Sequence, residues 1–132
     1  MSQEDVDLVR RMQEAFLGPD PERALTFFDT DVEYDARERP DGRVWHGRSG
    51  VRAAMIEWGD AWDDWQVETE RYLEAADGKV LIMWRERGRG KGSGVPMEQR
   101  GANVVTVRNG RIVHVRLYVH QLAALKAAGL ED

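Results

Sequence analysis

The chain has 132 residues, a formal net charge of −5 and no cysteine. Such a length hides roughly two-thirds of the unfolded surface on folding, enough for one domain with its own core over 1–132. The absence of cysteine excludes disulfide staples, thiolate metal centres and cysteine nucleophiles, and the acidic balance argues against DNA, RNA or anionic membrane as a partner. The first dozen residues, MSQEDVDLVRRM, are charged throughout, and no apolar run approaches a membrane span, so the expected location is the cytoplasm.

In chain order, residues 2–17 read as a helix, with Val9, Met12 and Phe16 on one face and Gly18-Pro19 as its stop. A second short helix is expected in DPERALTFFD, with Asp20 as N-cap and Pro21 at its first position. DVEYDAR alternates as a strand, with Val32, Tyr34 and Ala36 against Glu33, Asp35 and Arg37. A Pro-Asp-Gly turn follows. SGVRAAMIEWGDAWDDW then reads as a third helix, its stripe made of Val51, Met55, Trp58 and Trp62.

From there the hydrophobic period changes from helix to strand. Two strand pairs are expected, one turning at Asp77-Gly78 and one at Asn109-Gly110, both strong hairpin signals. QLAALKAAGL closes the chain as a short helix, with Gly129 past its end and Leu130 packing back. Helices segregated from an antiparallel meander predict an α+β domain, with helices in the concave face of a curved sheet.

Strand parity sorts the polar residues. Val80, Ile82, Trp84 and Glu86 share one face of their strand, and Gln99, Gly101, Asn103, Val105 and Val107 share one face of the next. In the last strand Val113, Val115, Leu117 and Val119 oppose His114, Arg116, Tyr118 and His120. The inward set is a mostly apolar wall with few polar groups, the usual make-up of a small-molecule pocket. Its expected ligand contacts are Tyr34, Trp58, Trp62, Trp84, Gln99, Asn103, Leu117 and Val119.

Glu86 is the candidate general acid–base group, because it stands two residues beyond Trp84 on the inner face. The plainer alternative pairs it with an arginine at the sheet rim. His120, at the end of the last strand, and His46, in the loop before the third helix, are candidate proton shuttles, and each is equally a solvated or capping histidine. Three scattered histidines form no metal-binding spacing, so no metal or cofactor is expected. None of Ser2, Ser49 and Ser93 lies in a nucleophile elbow.

The glycine-rich RERGRGKGSGVP carries neither a Walker sequence nor G-x-G-x-x-G, and it runs from strand to strand where phosphate loops lead into a helix. It is expected to be the flap of a long hairpin at the lip of the sheet, with Arg85, Arg87, Arg89 and Lys91 extending outward near Glu68, Glu70 and Glu74.

DPERALTFFDTDVEYDAR, WHGRSGVRAAMIEW, DGKVLIMWRERGRGKGSG, NGRIVHVRLYVH and the tail ALKAAGL, in this order and spacing, resemble the SnoaL-like branch of the nuclear transport factor 2 superfamily over nearly the whole chain. The resemblance implies a cone-shaped α+β barrel with a deep pocket. It also implies a homodimer through the outer sheet face bearing His114, Arg116 and Tyr118. The chemistry implied is acid–base work on a small hydrophobic oxygenated ligand, as in isomerases, cyclases and dehydratases; non-catalytic binding modules share the fold. Asn103 falls where isomerase-like members place an oxyanion-stabilising acid. Met12 and Ala36 fall where the steroid isomerases place a tyrosine and a catalytic aspartate, so their residue set is absent. An enzyme using a pocket carboxylate and a non-catalytic ligand-binding or dimeric assembly module both remain open.

Overall fold

The computed structural model describes residues 2–130. Its elements are α1 (Ser2–Phe16), a 3-10 segment (Pro21–Phe27), β1 (Phe28–Asp35), β2 (Val44–His46), α2 (Gly47–Asp60), β3 (Trp62–Glu74), β4 (Lys79–Gly90), β5 (Pro96–Arg108), β6 (Arg111–Tyr118) and α3 (Gln121–Ala127). The six strands form one sheet in the order β2-β1-β6-β5-β4-β3. All neighbours are antiparallel except β1 and β6, which run parallel. The sheet is curled and unclosed, an α+β architecture as expected. No helix among the described residues is long and apolar enough to cross a membrane.

Both hairpin signals hold. Asp77-Gly78 joins β3 to β4 with φ of 61° and 74°, and Asn109-Gly110 joins β5 to β6 with φ of 52° and 75°. Two successive positive φ values give the turn whose twist matches the flanking strands, and Asp, Asn and Gly bear them at least cost. The glycine-rich stretch is also a strand-to-strand connection: β4 runs to Gly90 and β5 begins at Pro96. Arg85 pairs with Glu98, Arg87 donates to Gln66, and it is Arg100 that reaches Glu70.

The departures are local. DPERALTFFD forms a 3-10 turn, and Asp20 makes no side-chain capping bond. Residues 44–46 form an edge strand antiparallel to β1 where a loop was expected. The third helix stops at Asp60, so Trp62 opens β3. Its place in the helical stripe was a coincidence of spacing. The chain turns back at Ala61, and Trp62 still meets Trp58 edge to face at 5.3 Å.

The main core lies between the helices and the concave face. Val9 and Met12 of α1 and Val51 of α2 pack against Val32, Val80, Ile82, Val105, Ile112, Val115 and Leu117. Each such side chain contributes roughly 1.5–3 kcal/mol on burial. Ile112, and not Val113, takes the inward place, because a bulge shifts the β5–β6 register between Thr106 and Val107. The sheet is also buried on its outer face at one end. There Leu81, Met83, Ala102 and Val104 pack with Ala124 of α3, and Leu130 folds back as expected. Gln121 anchors α3 by donating to Glu70 Oε1 (3.0 Å) and to the Gly101 carbonyl (3.2 Å).

Two residues on this frame give clear tests. A Cβ at Gly101 would collide with the Tyr118 carbonyl oxygen and come within 2.6 Å of the Trp84 ring, so only glycine lets that indole lie across β5. Gly101→Ala is expected to cost about 1–3 kcal/mol, read as a fall of several degrees in Tm. Asp35 is buried on the outer face and receives Arg37 at both oxygens (3.0 and 2.8 Å). That guanidinium holds its carboxyl below the ordinary value of 3.8. The folded state therefore binds fewer protons than the unfolded one, and the stabilisation is present above the ordinary value and lost as pH falls through the folded value. Asp35→Asn should cost about 1 kcal/mol at neutral pH, since Arg37 is largely exposed and screened. In urea titrations the gap between variant and wild type should close as the pH drops below that range.

Candidate functional site

Glu86 is the organising residue. It is 2 % exposed, on the concave face of β4, in register with Val67 of β3 and Gln99 of β5. Its Oε2 accepts the indole N–H groups of Trp58 (3.1 Å) and Trp65 (2.8 Å), and its Oε1 accepts the Gln99 amide (2.6 Å). The donors come from α2, β3 and β5, so three elements converge on one carboxylate. None of them is charged. A buried carboxylate in such a cradle loses its water but keeps its hydrogen bonds, which is the condition for tolerating burial.

Trp65 reaches Glu86 because of a bulge. Between the Asp63–Arg89 and Gln66–Arg87 pairs, β3 spends two residues where β4 spends one, and Asp64 takes a φ of 54°. Bulges re-aim side chains. The residue opposite is Gly88, where a Cβ would press on Trp62 Cβ and the Asp63 carbonyl oxygen at 3.3 Å. This glycine of β4 thus leaves room for the bulge that carries Trp65.

Beside Glu86 lies a cleft walled by Tyr34, Trp58, Trp65, Trp84 and Asn103. Its cavity volume is about 50 Å³. A second small cavity adjoins it through shared residues, among them Tyr34, Met55 and Asn103. Trp84 Nε1 donates to Asn103 Oδ1 (3.1 Å), which fixes the amide and leaves its NH2 group as a donor.

Of the sequence-derived candidates, Glu86, Tyr34, Trp58, Trp84 and Asn103 come together at this cleft, and Gln99 supports Glu86. The others do not join them. His46 ends the edge strand β2 and is exposed, and His120 is exposed at the start of α3; neither caps its helix through its side chain. Trp62 backs Trp58 without lining the cleft. Leu117 is fully buried and Val119 packs against the same core, where the helices already fill the concave face.

Sequence reasoning missed Gln13, Trp65 and Arg39. Trp65 was hidden by the overlong helix. Arg39 carried no periodic signal, because it stands in the turn between β1 and β2. Among the described residues no cluster of three His, Asp or Glu is placed to hold a metal ion.

Three solved structures of similar shape share 14 to 22 % identity with this chain, which speaks for the fold alone. A Burkholderia thailandensis NTF2-like protein superposes with a TM-score of 0.80 at 22 % identity, over 97 % of this chain and 98 % of the other. A Catenulispora acidiphila protein of ketosteroid isomerase-like fold, solved with trimethylamine, gives 0.72 at 22 %, over 95 % and 94 %. TerC, co-crystallised with polyporic acid, gives 0.73 at 14 %, over 95 % and 97 %. No curated protein matches the sequence. The SnoaL-like domain does match, over residues 9–115, which take in the second half of α1, the cleft and all but the end of β6; the chain belongs to the SnoaL-like family.

Proposed function

We propose that this chain is an acid–base enzyme of the isomerase, cyclase or dehydratase kind, acting on a small hydrophobic oxygenated compound. The supporting observation is Glu86, a buried carboxylate at the wall of an aromatic cleft with neutral donors as its partners. All three partners donate, so the carboxylate acts as acceptor, the pattern of the ionised form and the starting state of a general base. The Gln99 amide can turn its carbonyl toward Glu86 once a proton has arrived, so the protonated acid also has a partner. Asn103 and Tyr34 supply neutral donors for a substrate oxygen.

Glu86→Gln keeps the shape and removes the proton acceptor. Turnover of a substrate found by screening should fall by about 10²–10⁴-fold, with ligand affinity within a few-fold of wild type. Unchanged turnover in this variant would remove Glu86 from the mechanism.

A second reading is favoured by the small free volume and by the complete satisfaction of Glu86 within the protein. In that reading the chain is a non-catalytic ligand-binding module that dimerises through the half-exposed face of His114, Arg116 and Tyr118. Native mass spectrometry separates the two. The binding module predicts a dimer mass carrying a ligand that survives incubation unaltered; the enzyme predicts that the ligand is converted or leaves.

A further inference from the structure

Gly101 is a crossing point of three elements. It pairs directly with Trp84 of β4, and the Tyr118 carbonyl at the end of β6 closes in on it. Gln121, the first residue of α3, reaches the same pair from the outer face, where α3 packs on Met83 and Ala102. Its Nε2 donates to Glu70 Oε1 (3.0 Å), to the Gly101 carbonyl (3.2 Å) and, more weakly, to the Trp84 carbonyl (3.4 Å). All three partners only accept, so the amide presents its NH2 group to them and not its oxygen. The Gln121 amide first, and Arg100 after it, hold the Glu70 carboxyl below its ordinary value of 4.5, so the acceptor stays ionised.

The connection into α3 is held as well. The Val119 N–H donates to Glu38 Oε1 (2.9 Å), in the turn between β1 and β2. A helix of seven residues has little stability of its own, so α3 takes its position from these bonds and from the apolar strip under Ala124 and Leu125.

Trp84 depends on the same junction from the other side. Its ring lies across Gly101, and its Nε1 donates to Asn103 Oδ1 (3.1 Å). Both residues belong to β5, so the place of the indole follows how β5 lies against β4 at residue 101. Glycine is a weak point in a strand, with no side chain to hold the pairing. The Gln121 amide bridges the two carbonyls at that weak point.

We propose that Gln121 is a positioning residue for Trp84: from the outer face of the sheet it fixes the 84–101 backbone pair, and through it the indole that walls the cleft on the opposite face. α3 is then a strut through which a contact on the outer face adjusts the cleft wall, and the coupling runs equally in reverse. This placement is independent of any proton transfer at Glu86.

Exchange of the tryptophan indole N–H groups in D2O reads the placement, followed by proton–nitrogen NMR with the Trp84 signal identified by its loss in Trp84→Phe. Gln121→Glu keeps the shape but cannot donate, and Gln121→Ala removes the donor without adding charge. In both, exchange at Trp84 should quicken by about tenfold relative to Trp65, whose N–H is held by Glu86. Gln121→Lys restores a donor beside Glu70 and should return that ratio to within about threefold of wild type. Ile112→Val, in the core at the far end of β6, should lower Tm by a similar amount and leave the ratio unchanged. A merely structural role predicts that all indoles quicken together, or that Ile112→Val raises the ratio as much as the Gln121 variants do. Either result would overturn the proposal, as would an unchanged ratio in Gln121→Glu and Gln121→Ala or no recovery in Gln121→Lys.

Discussion

One buried carboxylate sets the terms for the rest of this structure. Taking Glu86 out of water costs several kcal/mol unless its lone pairs are met. Three neutral N–H groups meet them, from α2, β3 and β5. Each donor depends on a separate structural device. Trp58 needs the helix to stop at Asp60, Trp65 needs the β3 bulge opposite Gly88, and Gln99 needs the flap to hold its register against β4. A change in any of these would leave an unmet charge in the interior.

The same arrangement keeps the site polar without cancelling it. A carboxylate and a guanidinium in one cleft would ordinarily pair and neutralise each other. Here the indole of Trp58 is shared, bonded through its edge to Glu86 and covered on its face by Arg39. Aromatic rings suit this office because they accept a cation on the face and donate from the N–H edge. The outer face of the sheet has a different economy: Asp35 does pair with Arg37 there, and α3 covers the apolar strip of Leu81, Met83 and Val104.

Much of the frame was legible along the chain. Asp77-Gly78 and Asn109-Gly110 announced both hairpins, because positive φ at two successive residues restricts sequence severely. Strand parity placed Trp84 and Glu86 on one inner face with Gln99 and Asn103, because the side-chain period of a strand is two wherever no bulge intervenes. Parity failed where a bulge did intervene, at Val113. The helical stripe failed at Trp62, since a spacing of four residues carries no information about where the chain turns. His46 and His120 attracted notice for their chemistry, and both stand exposed at helix starts.

The sequence by itself determined the α+β class, the meander and the identity of the buried carboxylate, because turn residues and strand alternation are local constraints. Only the tertiary structure decided what surrounds that carboxylate. Trp58, Trp65 and Gln99 stand 28, 21 and 13 residues from Glu86 in sequence, and no local pattern links them to it. Arg39 shows the limit most plainly. In sequence it is one arginine among several in a polar loop; in the fold it is a cation pinned by its own turn, laid on an indole, with a buried N–H that has no partner among the described residues. Such a state is created by the meeting of distant elements around a shared desolvated space, and hydrophobic period and turn chemistry do not encode it.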